Sequence, residues 1–189
     1  MVLSDTELRE AIGAGELVFE PPLSQTRIQS ASIDLALHNV FYRPRLPSGP
    51  GITVTVEPDQ AESYQYMDMV EADSLLLKHG DFALGETAEA MTIPPGLCGW
   101  VEGKSGRARH GLIVHCTAPH IAPGWGTAAA VAPQAGLVPS PKRITLEFVN
   151  HGPADLELKA GQPIAQLIVM RVSSPSEIPY SGKHHERGT

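Results

Sequence analysis

An all-β fold, a sandwich or barrel-like arrangement of short strands, is what this sequence predicts. Polar and apolar residues alternate with a period of two along many short runs, as in Ser32-Ile33-Asp34-Leu35-Ala36-Leu37 and Ile52-Thr53-Val54-Thr55-Val56. Glycine- and proline-rich turns separate the runs: His79-Gly80-Asp81, Pro94-Pro95-Gly96, Asn150-His151-Gly152-Pro153 and Ala160-Gly161-Gln162-Pro163. Helical and strand patterns do not alternate, so a βαβ architecture is excluded, and no internal repeat of fixed period is present.

One helix is expected, at the start. Ser4-Asp5-Thr6-Glu7 has the form of a capping box, in which the serine hydroxyl and the glutamate three residues on each satisfy a free backbone N–H. Leu8 and Ile12 follow at helical spacing, and Gly13 and Gly15 can end the helix, which places it over about residues 4–13. Pro21-Pro22 then interrupts regular structure. Strands are expected at 32–37, 52–56, 74–78, 82–87, 97–102, 112–116, 143–149, 155–158 and 164–171. Residues 44–50 read as a loop. Residues 126–142 are apolar and rich in alanine and proline; they read as a long loop, of the kind that serves as a lid, an interface piece or an insertion. From Ser173 the chain is polar and reads as a mobile tail.

The length of 189 residues suits one domain, 1–189, with a sizeable core. A net charge of −7 and scattered basic residues exclude a partner bound through a nucleic acid backbone. No stretch approaches the roughly 18 apolar residues of a membrane span. Cys98 and Cys116 form neither a bridge framework nor a CxxC pair, which suits a reducing compartment. With no signal-peptide pattern after Met1, the expected location is cytoplasmic.

Two stretches carry candidate chemistry. Gly103-Lys104-Ser105-Gly106-Arg107-Ala108-Arg109-His110-Gly111 is a glycine-bounded cationic turn in an otherwise acidic chain. Backbone N–H groups, a hydroxyl and two or three cations suit a polyphosphate; a solvated surface turn has the same composition. The turn is not a Walker A sequence. Ile144-Thr145-Leu146-Glu147-Phe148-Val149-Asn150 places one carboxylate in a β-type run, on the face opposite Leu146 and Phe148. If that face meets solvent, Glu147 does nothing special. If it lines a cleft, desolvation makes it a usable general base. His110, His115, Cys116 and His120 lack the spacing of a structural zinc site, and the zinc-deaminase signature H-x-E…P-C-x-x-C is absent. A buried His115 bonded to backbone is the simpler reading, so no metal site is expected.

Several segments, in order along nearly the whole chain, resemble dCTP deaminases. They are Leu3-Ser4-Asp5, Ile28 to Leu35, Gly99 to Ser105, Arg109 to His115, Thr117-Ala118, Ile121, Pro123-Gly124-Trp125, Ile144 to Asn150 and Leu158 to Leu167. The resemblance extends to the trimeric dUTP diphosphatases, which share the fold. It implies a distorted β-sandwich of the β-clip type with a short N-terminal helix, assembled as a homotrimer with nucleotide sites at subunit interfaces. It implies hydrolysis of dCTP to dUTP and ammonia without zinc, with Mg²⁺ carried by the triphosphate. The family's catalytic glutamate falls on Glu147, its functional serine and arginine on Ser105 and Arg109, and the alanine near the reacting amino group on Ala118. Its phosphate- and base-contacting segment falls on Lys104, Ser105, Gly106, Arg107, Ala108 and Arg109. Backbone contacts beside the glutamate fall on Thr145 and Leu146, and the tail tyrosine and lysine on Tyr180 and Lys183.

The chain departs from the family at three places. Where the family has Ile-Asp-Pro-Gly, it has Ile121-Ala122-Pro123-Gly124, which removes an aspartate implied to contact the deoxyribose and argues against diphosphatase activity. The 126–142 segment exceeds the family's usual link. The tail has Lys183-His184-His185 where Lys-Tyr-Gln is common. Deamination of a cytidine nucleotide is the leading expectation. A nucleotide triphosphate diphosphatase and a non-catalytic nucleotide-binding homologue are the alternatives.

Overall fold

The structure is a computed structural model that describes residues 1–45, 67–129, 137–178 and 180. Helix α1 (Asp5–Gly13) begins as the sequence requires. The Ser4 hydroxyl and Glu7 form the reciprocal capping box, Leu8 and Ala11 are buried, and Gly15 leaves the helix end with φ of +72°. The chain then enters β1 (Phe19–Glu20) and, after a short 3₁₀ turn at Gln25–Arg27, the long strand β2 (Ile33–Pro44).

Eleven further strands among the described residues follow. They are β3 (Met67–Glu71), β4 (Ser74–Leu77), β5 (Phe82–Met91), β6 (Leu97–Gly103), β7 (Leu112–Ile113), β8 (His120–Ile121), β9 (Thr127–Ala129), β10 (Leu137–Pro139), β11 (Lys142–Asn150), β12 (Leu156–Lys159) and β13 (Pro163–Arg171). A single-turn helix, α2 (Ser105–Ala108), separates β6 from β7. The main sheet runs β7-β11-β5-β2-β13-β6-β8, with β1 on β5 and β3 on β2.

β2 joins the two halves of this sheet. Its first residues, Ile33 to Ala36, pair with β13; from Leu37 it turns to β5, and from Val40 to β3. The register shifts in both pairings bend the ladder there. The halves enclose one core: Phe41, Leu146 and Phe148 from one and Leu97, Leu167 and Val169 from the other are fully buried in the same cluster. Gly85 is needed at its centre, because a Cβ there would meet the Phe148 ring at 2.6 Å.

Two sequence expectations change. The strand expected at 112–116 ends at Ile113, because the backbone of Cys116 turns to a side chain instead of a neighbouring strand. The segment 126–142 is not a loop throughout: β9 and β10 pair antiparallel, Thr127 opposite Pro139 and Ala129 opposite Leu137. The 155–158 strand forms, but with β4 in a separate two-stranded sheet. The strand expected at 52–56 lies outside the described residues, as do 46–50 of the expected 44–50 loop.

Asn150 locks the end of β11 in place. It is fully buried, donates from Nδ2 to Leu77 O at 3.0 Å and Ala154 O at 2.8 Å, and accepts from Gly152 N at 2.9 Å. His151 N in turn donates to Gly111 O. Gly111 has φ of +87°, and a Cβ there would meet Gly152 N at 2.1 Å. The segment leaving α2 is thus pinned to the end of the Glu147 strand. Asn150→Ala strands two carbonyls and one N–H in the interior, and a loss of about 2–4 kcal/mol is expected. Denaturant titration checks this; an unchanged midpoint contradicts the assignment.

Candidate functional site

The cationic turn forms one wall of a cleft of about 430 Å³, lined by Lys104, Ser105, Gly106, Arg107, Pro163 and Gln166. The wall is built from segments far apart in sequence. Lys104 Nζ pairs with Asp34 Oδ1 on β2 at 2.5 Å. Gln166 on β13 donates from Nε2 to Gly103 O at 3.1 Å and accepts from the Ser32 hydroxyl at 3.5 Å. Arg107 Nη2 donates to Gln162 Oε1 at 3.2 Å. Gly106 leaves space: a Cβ there would meet nothing within 4 Å. Ser105, Ala108 and Arg109 are exposed on α2 and its end.

Glu147 lies on β11 as the alternation predicts. Ile144, Leu146 and Phe148 are buried, while Thr145 and Glu147 share the opposite, half-buried face. Fully solvated it is not. Its Oε2 accepts from Cys116 N at 3.0 Å, and its own N–H donates to Val114 O at 3.1 Å. Residues 114–116 therefore strap across the strand at this point. Oε1 has no partner among the described residues, so one oxygen of an oriented carboxylate is available for chemistry. Burial, and next the Glu147 charge, raise the Cys116 thiol above its ordinary pKa. Ala118 is exposed two residues further along the same loop.

The loop is braced from its other side by His115, whose Nε2 lies 3.4 Å from Glu102 Oε2. The expectation of a His115 bonded to backbone is thus corrected: its recorded partner is a carboxylate. Glu102 accepts from Trp100 Nε1 at 2.9 Å; that hydrogen bond first, and His115 next, hold its carboxyl below the usual range. Among the described residues no three His, Cys, Asp or Glu side chains converge as a metal site.

A third group forms around Ala122. Trp125 N donates to Ala122 O at 3.1 Å, closing a turn that contains Gly124 at φ +91°. Tyr180 returns to this turn: its N–H donates to Pro123 O at 3.0 Å, and its ring lies 5.4 Å from that of Trp125 at 41°. The β9–β10 hairpin leaves from the same turn, with Ser140 N bonded to Gly126 O at 2.7 Å.

The predicted residues thus fall into three groups. Lys104 to Arg109 lie on the α2 turn, Glu147 with Thr145, Leu146 and Ala118 at the β11 strap, and Ala122 with Tyr180 at the hairpin turn. Within one chain, no hydrogen bond or ion pair among the described residues joins Glu147 to the turn, and the cleft lining does not include it. Leu146 is fully buried, so only its backbone can face a ligand. Lys183 lies outside the described residues. Reasoning from sequence missed Asp34, Cys116 N–H, Gln162 and Gln166. A lone carboxylate in the 32–37 alternation was a signal for Asp34; the others had none without the fold.

A family model described as dCTP deaminase-like matches residues 2–172. The chain is 34% identical over 194 residues to a dCTP deaminase of Shewanella amazonensis, covering 99% of this chain and 92% of that protein. It is 34% identical over 190 residues to a dCTP deaminase of Natronomonas pharaonis, covering 100% and 88%. Among solved structures it matches the 2'-deoxycytidine 5'-triphosphate deaminase from Agrobacterium tumefaciens with a TM-score of 0.64 at 18% identity, a likeness of fold. That match covers 89% of this chain and 47% of the other, so the chain spans about half the length of that protein.

Proposed function

This chain belongs to the dCTP deaminase-like family, and on that footing we propose that it deaminates a cytidine nucleotide by hydrolysis, most simply dCTP and water to dUTP and ammonia. The supporting observation is Glu147: a carboxylate oriented by the Cys116 N–H, with its second oxygen available, on the strand that follows the family pattern.

In the reaction, Glu147 takes a proton from water as the oxygen bonds to C4 of the cytosine ring, and passes a proton to N3. Glu147 then takes the proton of the new C4 hydroxyl and delivers it to the amino group as the C4–N bond breaks, leaving C4=O and releasing ammonia. Ser105 and Arg109 stabilise the developing charge, the backbone at Thr145 and Leu146 holds the ring edge, and the small side chain of Ala118 leaves room for the amino group. Lys104 to Arg109 hold the phosphates. Mg²⁺ would arrive on the triphosphate, which fits a cleft wall whose neighbouring carboxylate, Asp34, is paired with Lys104. The absence of Glu147 from this cleft lining supports a site completed between copies in a homotrimer, one supplying the α2 turn and its neighbour Glu147. Residues 1–189 act as one domain of a cytoplasmic enzyme. Tyr180, packed on the turn after Ala122, is the tail tyrosine that would face the nucleotide. Ala122 leaves the sugar without a charged partner.

Glu147→Gln keeps the shape and the Cys116 contact but removes the base. Turnover is expected to fall by about 10²–10⁴-fold while nucleotide affinity is retained; ammonia release and calorimetry measure the two, and full turnover refutes the role. Mixing inactive Glu147→Gln and Arg109→Ala subunits should restore about a quarter of wild-type activity, because a shared site then recovers both intact groups in that fraction of interfaces. No recovery after verified subunit exchange places both groups in one chain. Ala122→Asp is expected to raise kcat/KM for dCTP by roughly tenfold or more; no change means that the sugar is recognised elsewhere.

A further inference from the structure

Two cations line the cleft, and their surroundings are unlike. Lys104 faces the Asp34 carboxylate at 2.5 Å, and the Asp34 side chain is only 13% exposed. A pair so close and so shielded from water cancels most of its own field a few ångströms away. Arg107 is held by a neutral group, the Gln162 amide oxygen at 3.2 Å, and makes no ion pair among the described residues.

Gln162 is itself fixed by backbone. Its N–H donates to Lys159 O, and its carbonyl accepts from Leu37 N at 3.0 Å. Its side-chain Nε2 is buried and has no hydrogen-bond partner. A glutamate of the same shape would bind the guanidinium more strongly and would leave no orphaned donor. The amide is therefore the less stable choice at this position, and what it preserves is the full charge of Arg107.

We propose that Gln162 sets the anion strength of the cleft: it orients Arg107 without neutralising it, so the phosphate chain is gripped at the Arg107 end, while Lys104, tied to Asp34, contributes position more than charge. This rests on the reading above that the cleft receives the nucleotide's phosphates. Gln162 acts through Arg107 and is a positioning and specificity residue, not a catalytic one.

The test uses inorganic tripolyphosphate with the full-length protein, by calorimetry, so that binding is read without turnover. Gln162→Glu is expected to weaken binding by about tenfold or more, and Gln162→Met, which loses orientation but not charge, by about threefold. Asp34→Asn, which frees Lys104, is expected to tighten binding about threefold or more. Gln162→Glu should also melt no lower than the parent, which separates lost charge from lost fold. Equal weakening by Glu and Met at 162, or weaker binding in Asp34→Asn, overturns the proposal, as does a wild-type protein that does not bind tripolyphosphate. If the expected order appears but dCTP yields no ammonia, the deaminase reading fails and the charge assignment stands.

Discussion

The hydrogen bond from Cys116 N–H to the Glu147 carboxylate is where the sheet changes from scaffold to site. Up to Ile113, β7 pairs with β11 in ordinary register. One residue later Val114 O still accepts from Glu147 N, but Cys116 spends its N–H on the side chain rather than on a ladder. The carboxylate gains a charge-assisted bond and a fixed orientation, and the chain at 115–118 leaves the sheet to form a loop. The same event ends a strand and orients the carboxylate proposed as the base.

The rest of the fold makes that geometry rigid. Phe148, the next residue, lies fully buried against Gly85, which fixes the register of β11 on β5. Asn150, two residues on, satisfies three backbone groups and pins the turn that meets Gly111. Glu147 thus sits just before two fully buried anchors, on a strand whose opposite face is core. Precision at a site is set by its supporting residues, and here they occupy the positions directly after it.

What the sequence disclosed follows from the range of each signal. The period-two alternation located β2, β5, β6, β11 and β13, and the capping box located α1, because both are properties of adjacent residues. The face of Glu147 followed from the same alternation. β8, β9 and β10, two or three residues each, lie below the length at which a period can be seen. The end of the 112–116 run was hidden because Val114 is buried like a strand residue while the decisive bond is made by the backbone of Cys116 to a residue 31 positions away. Asp34, Gln162 and Gln166 escaped notice for a similar reason. Their importance lies in what β2 and β13 bring beside the α2 turn, and that pairing is non-local.

A chain of net charge −7 that binds a polyanion works against its own overall field. At physiological ionic strength that field is screened beyond about 8 Å, so capture depends on which charges within the cleft remain uncancelled. Counting basic residues in the turn does not answer this, since Lys104 is ion-paired and the Arg107 guanidinium, among the described residues, is bonded only to a neutral amide. The identity of the partner, carboxylate at 34 and amide at 162, distributes the attraction along the cleft. Recognition by this fold is therefore a matter of neutral neighbours as much as of charged ones: a glutamine that declines to neutralise an arginine can do more for an anionic ligand than a further lysine.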